Sequence, residues 1–378
     1  MKLIHLSDLH LGKKLGEFQL TEDQRYILRE ILDIIDDEKP DCVIVAGDIY
    51  DRSVPPTEAV ELFDDFLFRL SQKSIPVFVI SGNHDSPERL AFGGRLMDKS
   101  GVHISPVYDG NVVPYTISDS YGAVKLWLLP FVKPANVRRF FEDEEITSYT
   151  DALRTATEHM DIDSSERNIL VTHQFVTGAL RSESEEITVG GTDNVDACVF
   201  DAFDYVALGH IHRPQNVMSE RIRYCGTPLK YSFSESSDSK SVTVAELGEK
   251  GSLTVGTRPL VPLREMTEIK GSYEELTLKS FYENTGLRDA YLHITLTDEE
   301  EIPDAVSRLR VIYRSLMKLD YDNSRTRNTG VITAVGSTER KTPAELFAEF
   351  YEQQNGRPMS DGQAELVNGL IESIWEGE

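Results

Sequence analysis

The sequence predicts a layered α/β domain, followed by a small α+β domain and C-terminal helices. Short β-branched runs alternate with amphipathic segments over residues 1–262, and this order is typical of sheets that helices cover. From residue 263 the pattern changes to three strand-like runs and one helical pattern. We therefore expect a first domain at 1–262 and a second at 263–322.

The elements of both domains follow from the spacing of apolar residues. The main strands of the first domain are predicted at 43–45, 77–80, 169–171 and 205–208. Its early helices are predicted at 24–36 and 58–70, where apolar residues recur with a helical period. In the second domain we predict strands at 266–269, 291–296 and 316–321 and a helix at 304–315.

The C-terminal part of the chain has a different character. Residues 323–342 are polar and predict a linker. Beyond it, 343–354 and 361–375 carry apolar residues at helical spacing, which predicts two amphipathic helices. Their large apolar stripes suit a groove or coiled coil of a partner. The alternative is that both helices pack on their own chain, but we expect residues 343–378 to bind a partner.

Composition limits the class of protein. No apolar run approaches the roughly 18 residues that a membrane span needs, so we expect a cytoplasmic protein without membrane contact. The three cysteines are scattered, which predicts neither disulfides nor structural zinc. The 64 Asp and Glu residues exceed the 39 Lys and Arg residues, for a net charge of −25. Such a chain repels phosphate backbones unless local positive patches or another subunit supply the contacts.

Five short polar segments each follow a predicted strand. They are Asp8-Leu9-His10, Gly47-Asp48-Ile49-Tyr50-Asp51, Gly82-Asn83-His84-Asp85, Thr172-His173 and Gly209-His210-Ile211-His212. In α/β folds ligands collect beyond the carboxyl ends of strands, so the five segments can meet at one place. Each segment alone is common, but together they contain five of the nine histidines. Three glycines, Gly47, Gly82 and Gly209, precede the polar residues and permit tight turns and close approach of a substrate.

The residue types in these segments predict a metal centre. Carboxylate, imidazole and amide oxygen suit Mn²⁺, Mg²⁺, Fe²⁺ or Zn²⁺. The candidate ligands are too numerous for one catalytic ion and fit two ions that share a carboxylate. They are Asp8, His10, Asp48, Asn83, His173, His210 and His212.

In their order along the chain, these motifs resemble those of the calcineurin-like metallophosphoesterases. Longer segments are similar to the SbcD family of nuclease subunits, and the detailed likeness covers most of residues 1–260. They are 7–12, 46–51, 80–86, 207–213 and 223–228, with Ser232-Phe233. The resemblance implies a sandwich of two β-sheets flanked by helices, a capping domain that contacts DNA, and helices that dock on a partner.

The resemblance also implies roles for the site residues. One ion would be held by Asp8, His10, Asp48 and His212. The other would be held by Asp48, Asn83, His173 and His210. Both ions would be Mn²⁺, with Mg²⁺ as the alternative. His84 would face the scissile phosphate and protonate the leaving oxygen or stabilise charge. Asp51 stands where some relatives carry a second histidine, and its carboxylate would orient His84.

The function that the resemblance implies is DNA cleavage in break processing, recombination and replication. It includes 3′-to-5′ digestion of duplex ends and endonucleolytic cleavage of single strands and hairpins. An SbcC-type, SMC-like ATPase would be the partner, since the chain has no G-x-x-x-x-G-K-[ST] phosphate loop. A homodimer within a heterotetramer would use helices around 58–70 and 87–97. The alternatives are a phosphoesterase for small nucleotides or phosphoproteins, and a silent tether of DNA ends.

Basic residues near the motifs are candidate phosphate contacts. Taken singly, each is an ordinary solvated charge, but as a group in so acidic a chain they predict a DNA-binding surface. They are Lys13, Lys14, Arg52, Arg89, Arg181 and Arg213, together with Arg95 and Lys230.

Overall fold

The structure, a computed structural model, describes residues 1–182, 185, 193–324, 326, 347–352 and 358–375. The chain divides into two compact units, Met1–Tyr321 and Asp322–Glu378. No helix in these described ranges is long and apolar enough to cross a membrane.

The first sheet contains six strands. Their spatial order is Leu253–Pro259, Ser241–Leu247, Lys2–Leu6, Cys42–Ala46, Val77–Ile80 and Val102–Ile104. The four strands from Lys2–Leu6 onward are parallel, whereas the two late strands add in antiparallel orientation. A parallel strand covered on both faces needs an unbroken apolar run. Cys42–Ala46 and Val77–Ile80 meet that need, because every residue in them is buried.

The second sheet repeats this plan. Its order is Gln215–Val217, Ser219–Tyr224, Tyr205–Gly209, Arg167–His173, Gly122–Leu128 and Tyr115–Asp119. The four inner strands are parallel, and an antiparallel strand closes each edge. Parallel strands point their carboxyl ends the same way, so Arg167–His173 and Tyr205–Gly209 end side by side.

The two sheets face each other, and helices cover their outer faces. Side chains such as Leu3, Ile44 and Phe78 from the first sheet pack with Leu126 and Ile169 from the second. The outer faces pack in two further cores against helices. These helices are Thr21–Glu38 and Thr57–Gln72 on one side, and Pro134–Arg138 and Tyr149–Glu158 on the other. Each fully buried large apolar side chain contributes about 1.5–3 kcal/mol. The predicted fold class is confirmed.

Polar side chains also connect the two sheets. His5, completely buried, places Nδ1 2.9 Å from the Tyr205 hydroxyl and Nε2 3.2 Å from the Leu208 carbonyl oxygen. Burial lowers the pKa of His5 to about 3, so its imidazole is neutral. His5 therefore has a structural role between the two sheets. Within the second sheet, Arg167 donates two hydrogen bonds to the Asp119 carboxylate at the amino end of the strand Arg167–His173.

A third sheet, with a core of its own, follows the sandwich. Its parallel strands are Met266–Gly271, Tyr291–Leu296 and Leu316–Tyr321. It is fastened to the helix Thr21–Glu38 through Asp23. The Tyr291 hydroxyl and the Arg264 guanidinium both donate to Asp23 Oδ2, at 2.8 and 2.7 Å. The domain bounds at 262 and 322 stay predictions.

The predicted strands and early helices are confirmed, but the helix 304–315 was predicted too long. It spans Ala305–Arg310, because the chain then turns so that Tyr313 is buried and donates to the Leu276 carbonyl at 2.6 Å.

Asp361–Trp375 is helical as predicted. Of the predicted helix 343–354, residues 347–352 are described and helical, and the rest lies outside the described residues. Most of the predicted linker also lies outside them. The other α-helices in the part of the chain that the structure describes are short: Pro87–Leu90, Gly94–Met97, Tyr273–Thr277 and Lys279–Tyr282.

Candidate metal centre

The five polar segments meet where the strands of both sheets end. The loops after the strands Lys2–Leu6 and Cys42–Ala46 are hydrogen-bonded to each other. Asp8 N donates to the Gly47 carbonyl and His10 N to the Asp48 carbonyl, both at 3.0 Å. Contacts also cross between the sheets. His210 N donates to Asp8 Oδ1 at 3.0 Å, and His173 Nδ1 donates to the Ala46 carbonyl at 2.8 Å. The strand ends therefore form one continuous site.

Glycine is required at the points of closest approach. A Cβ on Gly82 would lie 2.1 Å from Asp48 Oδ1, and one on Gly209 would lie 1.9 Å from the Ala46 carbonyl oxygen. Gly47 has φ +86° and faces the ring of His173. We expected these glycines to admit a substrate. In the structure their contacts are with neighbouring strand ends, so they let the loops pack against each other.

Four predicted ligands have an unusual backbone. Asp8, His10, Asp48 and His210 have φ values of 52°, 43°, 49° and 99°. Such conformations cost about 1–3 kcal/mol each and cluster at functional sites. The sequence gives no direct sign of this strain, although Asp and His tolerate positive φ better than most residues.

One group of candidate ligands contains Asp8, His10 and His212, whose ligand atoms lie within 4.8 Å of one another. The Nε2 atoms of His10 and His212 are 3.1 Å apart. Two imidazole nitrogens at this distance share either a proton or a cation. All three side chains are buried, so water competes poorly for the position between them.

The second group surrounds Asn83. Its Oδ1 lies 2.9 Å from both His173 Nε2 and His210 Nδ1. Asp48 lies between the two groups, with Oδ2 3.3 Å from His173 Nε2 and 3.7 Å from His10 Nε2. This is the position that a bridging carboxylate needs. The structure thus brings all seven predicted ligands together, and carboxylate, imidazole and amide oxygens fit divalent ions.

Burial and charge set the pKa values of these groups. Burial lowers the pKa of His10 and of His210 well below the ordinary value. Burial alone would do the same to His173, but the carboxylates of Asp48 and Asp8 raise its pKa to about 9. Although burial opposes it, His173 holds the pKa of Asp48 well below its usual range. Without a metal ion, His173 and Asp48 therefore form a buried ion pair.

His84 is less buried than these residues, and it forms a further group with His10 and Asp48 whose ligand atoms lie within 4.8 Å of one another. Its backbone N donates to Asp48 Oδ1 at 2.9 Å, its ring packs edge-on against His10, and its Nε2 lies 4.0 Å from Asp48 Oδ2. Nδ1 is 3.0 Å from the backbone carbonyl of Asp51. The expected contact with the Asp51 carboxylate is not formed, because that carboxylate pairs with Lys13 at 2.7 Å. Asp51 thus meets His84 through its main chain.

Sequence reasoning missed several side chains that support the site. Asp85 accepts hydrogen bonds from the backbone of Ile49, Tyr50 and Gly82, and so ties two strand-end loops together. Its place in Gly82-Asn83-His84-Asp85 was a usable signal. Glu235 and Lys240 lie behind His212. Nothing in the sequence separates them from surface charges.

The predicted DNA contacts divide into two groups. Four of the basic side chains are paired with carboxylates at 2.6–2.8 Å: Lys13 with Asp51, Arg181 with Asp193, Arg213 with Asp238 and Lys230 with Glu265. Lys14, Arg89 and Arg95 are exposed. The side chain of Arg52 is 77% exposed, 3.7 Å from Asp51. Only the second group is readily available to phosphates.

Comparison with known proteins identifies the family. The sequence model of the calcineurin-like phosphoesterases matches residues 1–214, more than half of the chain. Two curated relatives are named as the SbcD component of the nuclease SbcCD. The one from Staphylococcus epidermidis is 33% identical over the full length of both chains. The one from Staphylococcus saprophyticus is 32% identical, over 100% of this chain and 99% of its own. The chain belongs to the SbcD family of calcineurin-like phosphoesterases.

Other comparisons add detail. A model described as a type 5 capsule protein repressor C-terminal domain matches residues 262–355. Among solved structures, a dimetal phosphatase from Danio rerio aligns over 69% of this chain and 96% of its own. Its sequence identity is 13% and its TM-score is 0.41. Family membership, together with the candidate ligand groups, supports a phosphoester hydrolase that uses divalent metal ions.

We predict that metal binding releases a proton from His173. Its pKa of about 9 means that the metal-free protein holds this proton at neutral pH. A ligand nitrogen must be free, so an ion has to displace the proton and binding tightens as pH rises toward 9. Calorimetric titration with Mn²⁺ at pH 7, in buffers of different ionisation enthalpy, should give about one proton released per chain. An enthalpy that is independent of the buffer would contradict the pairing of His173 with Asp48.

Proposed function

We propose that the chain is a metal-dependent DNA nuclease with two catalytic ions. The observation that carries the proposal is the convergence of seven candidate ligands around Asp48 and Asn83, at the ends of strands from both sheets. Full-length relatives named as nuclease subunits support DNA as the substrate.

The contacts suggest how the ligands are shared. Asp8, His10, Asp48 and His212 would hold one ion, and Asp48, Asn83, His173 and His210 the other. Two ions, for which we favour Mn²⁺, would clamp the scissile phosphate and activate a water for in-line attack. Asp48 Oδ2, within 4.0 Å of nitrogens of His10, His173 and His84, would bridge the pair.

His84 would act on the substrate and not on the metal. The Asp51 carbonyl can only accept a hydrogen bond, so it fixes a proton on His84 Nδ1 and leaves Nε2 directed toward the Asp48 side of the site. From there Nε2, when protonated, would donate to the leaving oxygen or stabilise its charge. The main-chain contact supports an orienting role for the backbone carbonyl of Asp51 in place of its carboxylate.

The details of cleavage rest on the family likeness. We propose 3′-to-5′ digestion of duplex ends and endonucleolytic cleavage of single strands and hairpins, in cytoplasmic DNA break processing, recombination and replication. Lys14, Arg52 and Arg89 are the exposed basic side chains best able to contact phosphates. With a net charge of −25, the chain would depend on a partner for most of its DNA affinity.

The proposed partner is an SbcC-type ATPase. The relatives are named as one component of SbcCD. The described C-terminal helical residues expose large apolar side chains: Phe347 and Phe350 by 43% and 58%, and Leu366 and Leu370 by 66% and 54%. Exposed apolar residues at helical spacing suit a coiled coil.

A second apolar surface suits a homodimer. A groove of about 460 Å³ runs between the helix Thr57–Gln72 and the segment 86–97, with Val60, Phe63, Leu67, Leu90 and Phe92 among its lining residues. Phe92, which lines the groove, and Leu96, in the same segment, are 85% and 79% exposed. Apolar side chains this exposed in one place mark an interaction surface. We propose that two copies of the chain meet here.

The nuclease proposal is tested with defined duplex and hairpin DNA, with and without Mn²⁺. His84→Gln should reduce turnover about 10²–10⁴-fold because it removes a proton donor, while it keeps both ions. Asp48→Ala is the matched variant that should lose both ions and all activity. Metal content and cleavage are measured on the same preparations. Hydrolysis of small phosphodiesters without cleavage of DNA would instead favour a small-nucleotide phosphoesterase, and metal binding without hydrolysis would favour a DNA tether.

Truncation after Lys341 tests the partner surface. The shortened chain should still cleave single-stranded DNA with Mn²⁺, because the site lies entirely within the first unit. It should lose binding to the ATPase and any ATP-dependent action on duplex ends. Co-purification with the ATPase at full strength would place the docking surface elsewhere. Unfolding of the truncated chain would mean that the helices belong to its own core.

Exchange of Phe92 and Leu96 for serine tests the dimer. Sedimentation of the purified chain should give a dimer for the wild type and a monomer for the double variant, because two anchoring apolar side chains are lost. Met218→Ser is the control, since Met218 is equally exposed, at 87%, and lies outside the groove. A double variant that stays dimeric would show that another surface is used.

A further inference from the structure

An ion pair lies buried behind the candidate ligand His212. Glu235 is completely buried and Lys240 is 5% exposed. Lys240 Nζ donates to Glu235 Oε2 at 2.5 Å and to the backbone carbonyl of His212 at 2.9 Å. Removing two charges from water is costly, and an apolar pair of similar size is often at least as stable. The stability of the fold therefore does not by itself account for the position of this pair.

The second oxygen of the Glu235 carboxylate faces the imidazole of His212. Glu235 Oε1 lies 3.6 Å from His212 Nδ1, on the side of the ring away from His10. On the other side, His212 Nε2 lies 3.1 Å from His10 Nε2. A carboxylate beside Nδ1 favours the tautomer with the proton on that atom, and so leaves the lone pair on Nε2. Nε2 is the nitrogen that points into the candidate centre.

The neighbouring histidines are supported differently. His173 donates from Nδ1 to a neutral acceptor, the Ala46 carbonyl. His10 Nδ1 is buried and has no hydrogen-bond partner among the described residues, and an Asp51 oxygen lies 3.8 Å away. Of these three histidines, His212 is the one with a completely buried carboxylate at its outer nitrogen. A charged acceptor makes the imidazole more basic and a stronger metal ligand than a carbonyl does.

We propose that Glu235, held in place by Lys240, is a positioning residue that fixes the tautomer of His212 and thereby sets the affinity of one of the two ions. Lys240 orients the carboxylate and holds the main chain of His212 through the same ammonium group. The inference rests on the proposed metal centre, but it does not depend on DNA being the substrate.

Calorimetric titration with Mn²⁺ tests the proposal on the full-length chain. Glu235→Gln should raise the Kd of one ion about 10–100-fold, as loss of an outer partner of a ligand histidine typically does, while the other ion binds as in the wild type. Glu235→Gln with Lys240→Met removes both charges and avoids an unpaired ammonium, and it should show the same selective loss. Asp119→Asn is the matched control. It disrupts the buried pair with Arg167 at the opposite end of the sheet, so it should lower the melting temperature without changing either Kd.

The tautomer of His212 can also be measured directly, without substitution of Glu235 or Lys240. In the ¹⁵N spectrum of histidine-labelled wild type, assigned by comparison with His212→Gln, His212 should carry its proton on Nδ1. A proton on Nε2 would overturn the proposal, as would wild-type affinity for both ions in the double variant. A wild-type chain that binds no Mn²⁺ would overturn the metal centre itself.

Discussion

Two carboxylates, those of Asp8 and Asp48, lie almost completely buried where the strand ends of the two sheets meet. A buried carboxylate is costly unless hydrogen bonds or cations compensate it. The neighbouring loops supply part of this through backbone N–H groups of His210 and His84. Burial still raises the pKa of Asp8. The two buried carboxylates are thus stabilised jointly by the packed strand ends, the glycines between them and the surrounding histidines.

Much of the arrangement could be predicted because local pattern and final position coincide. The apolar runs at 43–45 and 77–80 are buried strands, and a parallel sheet places whatever follows them at one edge. The seven candidate ligands were predicted for this reason. Contacts that form only in the folded chain had no such signal: Glu235 and Lys240 are ordinary charged residues until the chain buries them behind His212. The end of the helix at Arg310 was likewise set by the burial of Tyr313.

The charge distribution affects how so acidic a chain would bind a polyanion. Several basic residues near the site have their charge compensated within the chain, as in the pairs of Arg181 with Asp193 and Arg213 with Asp238. Among the described residues, the predicted DNA contacts that stay exposed are Lys14, Arg52, Arg89 and Arg95. In the proposed nuclease, binding of the phosphate would then depend on short-range contacts and on the divalent ions, so substrate capture and metal loading would be coupled.

The positive φ angles of Asp8, His10 and Asp48 affect which residues these three positions can accept. Each residue holds its loop in a conformation that glycine adopts more easily. Glycine at any of the three positions would relieve this strain, but it would also remove a candidate ligand. At these three positions the backbone conformation and the candidate ligand therefore make opposite demands on the choice of residue.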